Sequence, residues 1–225
     1  MTLFALGVGV VVWRAARRGS PRATLIWQGL LGYLAYTYTG AAFAYGFNVL
    51  FLVYVALFST TIAALIAGLS GIDAPALHAA FDARTPRRGV AAFLLVMALV
   101  LCLLWFGQIV PFFTEGRLPP MIEKAGTPTV FVFVLDLGVI VPLAVLSAWW
   151  LLGDRPWGYV LAGFVLVKSA TMGLALLSMT AFALRAGQEA DLALSLAWIA
   201  LAAAGTTMSF WFFGHCRTDA PASPE

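Results

Sequence analysis

Charge is scarce in this chain. Its 225 residues include 13 Lys and Arg and 10 Asp and Glu, so charged side chains make up 10% and apolar ones 62%. A water-soluble domain carries roughly 25% charged residues, and this chain has too few polar side chains to cover a surface in water. Histidine and cysteine are rarer still, with two of each. His78 and His215 lie at or beyond the ends of the apolar runs, which excludes a histidine pair holding a haem or a metal inside a helix bundle. Cys102 sits within an apolar run and Cys216 at the end of another, which fits a buried small hydrophobe and a free thiol better than a disulfide framework. No HExxH, GxSxG or Walker sequence occurs, so hydrolytic and phosphoryl-transfer enzymes lack support. No cofactor and no metal is implied, and an enzyme is the less favoured reading. The net charge of +3 does not indicate a nucleic-acid partner, because the 13 basic residues fall mostly at the edges of apolar segments.

What the chain has instead is long apolar runs and a mean hydropathy of +0.95. Runs of about twenty residues cross a hydrocarbon core of about 30 Å at about 1.5 Å per helical residue. Lipid offers no partner to a free N–H or C=O, so such runs are helices or closed barrel strands. Barrel strands alternate apolar and polar residues, and VFVFVLDLGVIVPLAVLSAWW does not. The expected fold is an all-α polytopic helical membrane bundle forming one domain over 1–225, with six or seven spans at about 2–13, 23–45, 47–69, 90–110, 128–151, 157–182 and 192–214. The first is short for a full span, and reads as a tilted helix, an interfacial segment or a helix cut short by a late start. It lacks a basic n-region, so it does not read as a signal peptide.

Arginine positions orient the bundle. RAARRGSPR after the first segment carries Arg14, Arg17, Arg18 and Arg22, and the 70–89 connection adds Arg84, Arg87 and Arg88. Placing these in the cytoplasm brings Arg155 and Arg217 with them, and leaves only Arg117, Lys124 and Arg185 outside. The C-terminus is then cytoplasmic, with a disordered tail over 217–225, and the address is a bacterial-type inner (cell) membrane. The expected partner is the lipid bilayer, with a homo-oligomer or a partner membrane subunit left open. Thr127-Pro128 reads as a capped helix start. Gly153-Asp154-Arg155-Pro156 reads as a hairpin turn, and Gly46 with Asn48 as an equally tight one. Trp149, Trp150 and Trp157 cluster at the inner end of the first of these hairpins. The outer 111–127 loop reads as a lid or a linker, and 70–89 as a short amphipathic surface segment with Asp73, His78 and Asp82.

Two ionisable residues fall well inside spans: Asp136 in the fifth and Lys168 in the sixth. Each costs about 2.5–3.5 kcal/mol at a helix centre on insertion scales, and such residues face the bundle interior and find partners. Counted from the span ends, Asp136 lies about 12 Å and Lys168 about 14 Å below the outer face. The short turn between the spans makes them neighbours, so the two form a candidate intramembrane charge pair. Asp136 has no second intramembrane carboxylate with which to share a proton. Pro142 cannot bond back to the carbonyl of Gly138 and is expected to kink the helix. Thr171 lies on the Lys168 face, and Ser169 with Gly173 has a spacing suited to close packing. Tyr33 and Tyr36, with Thr206 and Thr207 beside Gly205 and Ser209, complete a possible polar lining. An aromatic belt and ordinary helix packing account for the same residues, and for the Thr206–Thr207 seam packing is the preferred reading.

Three readings follow. The first is a small-solute or ion transporter in which the pair changes protonation or partner. The second is a non-catalytic membrane subunit or sensor whose pair fixes helix packing or partner docking. In the third, a membrane lysine with a carboxylate counter-ion is similar to the retinal-binding rhodopsins. That family has its lysine on the seventh helix and its counter-ion on the third, whereas this chain has them on the sixth and fifth spans, without the flanking motifs. The first is the favoured reading.

Overall fold

A computed structural model describes residues 2–187 and 192–218. Its helices are α1 (Thr2–Arg17), α2 (Pro21–Phe43), α3 (Phe51–Ser70), α4 (Ala74–Ala79) and α5 (Arg87–Glu115), then α6 (Pro120–Ala125), α7 (Phe131–Leu135), a π-turn (Asp136–Ile140), α8 (Val141–Leu152), α9 (Pro156–Arg185) and α10 (Leu192–Gly214). Among the described residues there is no strand, only one isolated antiparallel bridge between Phe81 and Cys216. Among the described residues, four helical segments are long and apolar enough to cross a membrane: α3, α5, the α7–α8 unit and α9. In α2, 23 residues long, Arg22, Gln28 and three tyrosines dilute the apolar content, and α10 contributes a shorter apolar stretch, Trp198–Gly214.

Local chemistry sets the helix ends. Ser20 accepts a hydrogen bond from the Ala23 amide ahead of Pro21, and Asp73 does the same for Ala76 at the start of α4. Four expectations need correction. Thr127 does not cap a helix: its hydroxyl donates to the Thr129 carbonyl at 2.8 Å, which holds 127–130 in a bend and delays the helix to Phe131. The connection between α2 and α3 is not a tight turn but spans 44–50, organised by Asn48, whose side chain accepts from the Leu50 amide and donates to the Gly46 carbonyl. Arg217 does not begin a disordered tail, since its amide donates to the Ala80 carbonyl at 2.9 Å; residues 219–225 lie outside the described residues. The outer loop is also shorter than 111–127, because α5 runs on through Pro111 to Glu115 and α6 occupies part of what remains.

The bundle is built around α9, which packs against α2, α8, α10 and α4. Its span is 56% buried, against 6% for α3, which lies at the periphery on α2. In lipid, helix association rests on van der Waals contact and hydrogen bonds, so small residues that let backbones approach carry much of the packing. A Cβ on Gly173 would sit 2.7 Å from the Ala202 backbone of α10, and one on Gly158 would collide with the backbone at Trp150 and Leu151. The spacing of Ser169 and Gly173 therefore serves two neighbours, with the Ser169 hydroxyl donating to Met97 Sδ of α5 at 3.2 Å.

One end of the bundle gathers the arginine-rich connections. Asp154 occupies the α8–α9 turn with a left-handed backbone (φ 55°). Its Oδ1 takes Arg87 at 2.7 Å, the Tyr159 hydroxyl at 2.7 Å and His78 Nε2 at 3.2 Å. Arg22 donates to the Cys216 carbonyl, and the Asp82 amide to the carbonyl of His215. Phe81, Tyr159 and Phe212 stack beneath this layer. The Cys216 thiol is buried, which pushes its pKa up to about 11 against the opposing pull of Arg22.

Two outcomes are expected. Gly173→Leu should force α9 and α10 apart and lower the stability of the detergent-purified bundle by about 1–3 kcal/mol, read by denaturant titration. The hydrogen bond from Tyr159 and the pairing with Arg87, set against a partial desolvation, hold the Asp154 carboxyl below its ordinary range. Its contribution is therefore complete above the ordinary carboxylate pKa of about 4 and is lost as pH falls through the depressed value. The gap in thermal midpoint between wild type and Asp154→Asn should be constant at neutral pH and close below about pH 4.

Candidate functional site

Asp136 opens the π-turn, in which the Val141 amide reaches back five residues to the Asp136 carbonyl. Pro142 follows at once. A proline lacks the N–H that an α-helix needs at this point, and the wide turn begins at the aspartate itself. π-Turns inside helices are found frequently at functional sites.

The Asp136 side chain is 5% exposed, and both of its oxygens are engaged. The Tyr36 hydroxyl of α2 donates to Oδ1 at 3.0 Å, and the Trp105 indole of α5 donates to Oδ2 at 2.9 Å. Lys168 of α9, also 5% exposed, places its ammonium 4.0 Å from the centre of the Tyr36 ring. Among the described residues no nitrogen–oxygen contact within 4.0 Å joins Lys168 to a carboxylate. The two charges thus meet through a shared tyrosine, which donates its hydroxyl to the carboxylate and offers its ring face to the ammonium. Hydrogen bonds to charged groups contribute about 1.5–3 kcal/mol each, and a desolvated cation over an aromatic face about 2 kcal/mol. Contributions of this size match the insertion penalty of the two charges.

Backbone proximity places Tyr36. Gly29 and Gly32 lie on the side of α2 that meets α9, where added Cβ atoms would strike Val167 and Phe164. One turn beyond Tyr36, Gly40 leaves room for the Phe131 ring, which makes an edge contact with Tyr36 at 6.1 Å. Phe133 packs on Trp105 at 5.2 Å, and both rings are buried. Toward the C-terminal end of α2, a mainly apolar cavity of about 280 Å³ is lined by Thr39, Phe43, Thr127, Pro128, Phe131 and Leu135. It reaches the residue before Asp136 and the ring that touches Tyr36.

Other sequence candidates stand apart from this cluster. Tyr33 is half-buried and contributes its carbonyl to Thr37. The Thr171 hydroxyl donates to the Val167 and Lys168 carbonyls of its own helix. Thr206 is half-buried and Thr207 exposed on α10. Tyr45 is 59% exposed and edges against Tyr54. Asp73 and Asp82 serve their own turns, and His78 serves Asp154. Trp105 is the member that sequence reasoning missed. Its signal was an indole N–H within a long apolar span, where such a donor requires a partner.

Comparison of the chain with protein-family models, with curated proteins and with solved structures finds no match.

Tyr36→Phe and Trp105→Phe each remove one donor and leave an oxygen of a buried carboxylate unsatisfied. Each should cost about 1–3 kcal/mol in denaturant titrations of the micellar protein. Combining Tyr36→Phe with Asp136→Asn should cost less than the sum of the two by at least about 0.5 kcal/mol, as expected of residues in one network.

Proposed function

We propose that this chain is a multi-pass protein of the cell membrane, with six or seven spans and the arginine-rich end and C-terminus in the cytoplasm. In this reading it moves a small solute or an ion past Asp136 and Lys168. Nine basic residues grouped at one end against three at the other, with Lys168 between, support the orientation. The observation that carries the functional reading is the pair of buried charges coupled through Tyr36 beside a π-turn. Ionisable groups inside membrane spans mark ion and substrate pathways, and the outer cavity supplies an approach to this pair. Protonating Asp136 weakens the bonds from Tyr36 and Trp105, because an acceptor without its charge forms weaker hydrogen bonds, and a cation brought to it competes with those donors for its oxygens. Tyr36 is then released and Lys168 loses its nearby counter-charge. The two charge states are thereby coupled, and the wide turn at 136–140 is where the helix can change its backbone bonding.

A second reading draws on the completeness of the carboxylate's partners. Donors from α2 and α5 occupy both oxygens of Asp136 and α9 supplies the cation, an arrangement equally suited to pinning helices in a non-catalytic subunit or sensor. Flux separates the two. Proteoliposomes holding a pH-sensitive dye under an imposed potassium diffusion potential should dissipate the gradient faster than protein-free vesicles. Lys168→Met and Asp136→Asn should fall to the protein-free rate while remaining monodisperse. Vesicles that stay tight to protons and to a panel of small solutes with the wild-type protein, with the variants changing only stability, would support the packing role instead.

A further inference from the structure

The arginine-rich end holds a second cavity, unrelated to Asp136. About 440 Å³ in volume, it lies between the first turn of α5 and the end of α10, lined by Arg84, Thr85, Arg87, Arg88, Gly89 and Trp211. The charges around it are unbalanced. Arg87 is paired with Asp154, which also holds His78 and Tyr159. Asp82, the other acid nearby, spends Oδ1 on the Arg84 backbone amide. Among the described residues, no carboxylate lies within 4.0 Å of the Arg84 or Arg88 guanidinium groups, and both residues are exposed. No side chain caps this end of α5, where Pro86 holds the capping position and the Arg87 amide donates to the Thr85 carbonyl. These features select an anion with several acceptor oxygens, which is the chemistry of a phosphate group.

The surroundings specify where that phosphate comes from. Trp211 is 48% exposed and packs on Gly89, where an added Cβ would sit 3.0 Å from the indole. A half-wet tryptophan at a helix end marks the headgroup level of a bilayer. From Arg88 the same face of α5 continues through Leu95, 42% exposed, and Leu99, 57% exposed, at helical spacings of seven and eleven residues. Val96 and Leu103 widen this strip. A basic cavity at the membrane edge that leads onto an apolar track along one helix matches a phospholipid, headgroup and acyl chain together. A free phosphate ion would use only the first part.

We propose that this cavity binds the phosphate headgroup of an anionic phospholipid, with Arg84 and Arg88 as its ligands, Trp211 flanking it, and an acyl chain laid along the Leu95–Leu99 face of α5. The proposal depends on α5 being a span and is independent of any transport.

The test uses the full chain in neutral detergent, with phosphatidylglycerol as the probe and phosphatidylcholine as the zwitterionic control. Binding is read by native mass spectrometry and by the rise in thermal midpoint. Wild type should retain phosphatidylglycerol over phosphatidylcholine, and added salt should weaken the retention. The Arg84→Gln/Arg88→Gln double variant should bind it about thirtyfold more weakly, two arginines at about 1 kcal/mol each. Arg88→Gln alone should give an intermediate loss, and Arg117→Gln at the opposite end none. Equal thermal midpoints in lipid-free detergent confirm that the variants are folded. Equal retention of the two lipids, or undiminished phosphatidylglycerol binding by the double variant, would overturn the proposal. Inorganic phosphate or glycerophosphate protecting the protein as well as the lipid does would replace it with a soluble-anion site.

Discussion

A carboxylate has no favourable place in hydrocarbon, and the packing around Asp136 is arranged around that fact. Asp136 is kept by donors that reach it from two other helices, and its partner cation is reached only through the ring of one of those donors. Remove Tyr36 and both charges are affected at once: one loses a hydrogen bond, the other its aromatic face. The arrangement needs α2 and α9 to approach closely, which Gly29 and Gly32 permit. It also needs α9 to be the axis about which the other helices pack, which its small and apolar faces allow.

The chain contains a second aspartate with several partners, and the contrast is instructive. Asp154 lies in an exposed turn, where water already solvates it, and three side chains converge on one oxygen. That cluster joins the α8–α9 turn to α4 and α5 at modest energetic stakes, because exposed ion pairs contribute little. Asp136 has fewer partners but no solvent to fall back on, so each of them matters more. Function is therefore sought at Asp136 and Lys168, while Asp154 reads as an anchor for the connections at the arginine-rich end. The lipid site proposed beside Arg84 and Arg88 uses the guanidinium groups that this anchor leaves unpaired.

Much of the helix layout was legible because hydropathy is additive along a chain. Apolar runs at 47–69, 128–151 and 157–182 are visible without knowing any contact, and α3, the α7–α8 unit and α9 lie over them. The boundaries that moved did so for reasons that hydropathy does not carry. Thr127 bonded to Thr129 instead of capping, Asn48 organised a longer loop, and Arg217 found the Ala80 carbonyl. Pro142 announced an irregularity, but its form as a π-turn opening at Asp136 depends on backbone bonding that no residue pattern specifies.

The sequence by itself determined the medium and the cast: long apolar helices for which lipid is the natural solvent, two ionisable residues within apolar runs, and few charges elsewhere in those runs. Only the tertiary structure decided how the two charges meet. Depth and adjacency predicted a direct pair, yet rotation of each helix about its axis sets which side chains face one another, and packing fixes that rotation, with Gly29 and Gly32 letting α2 approach α9. It put a tyrosine between the charges and brought a tryptophan from α5 to the carboxylate.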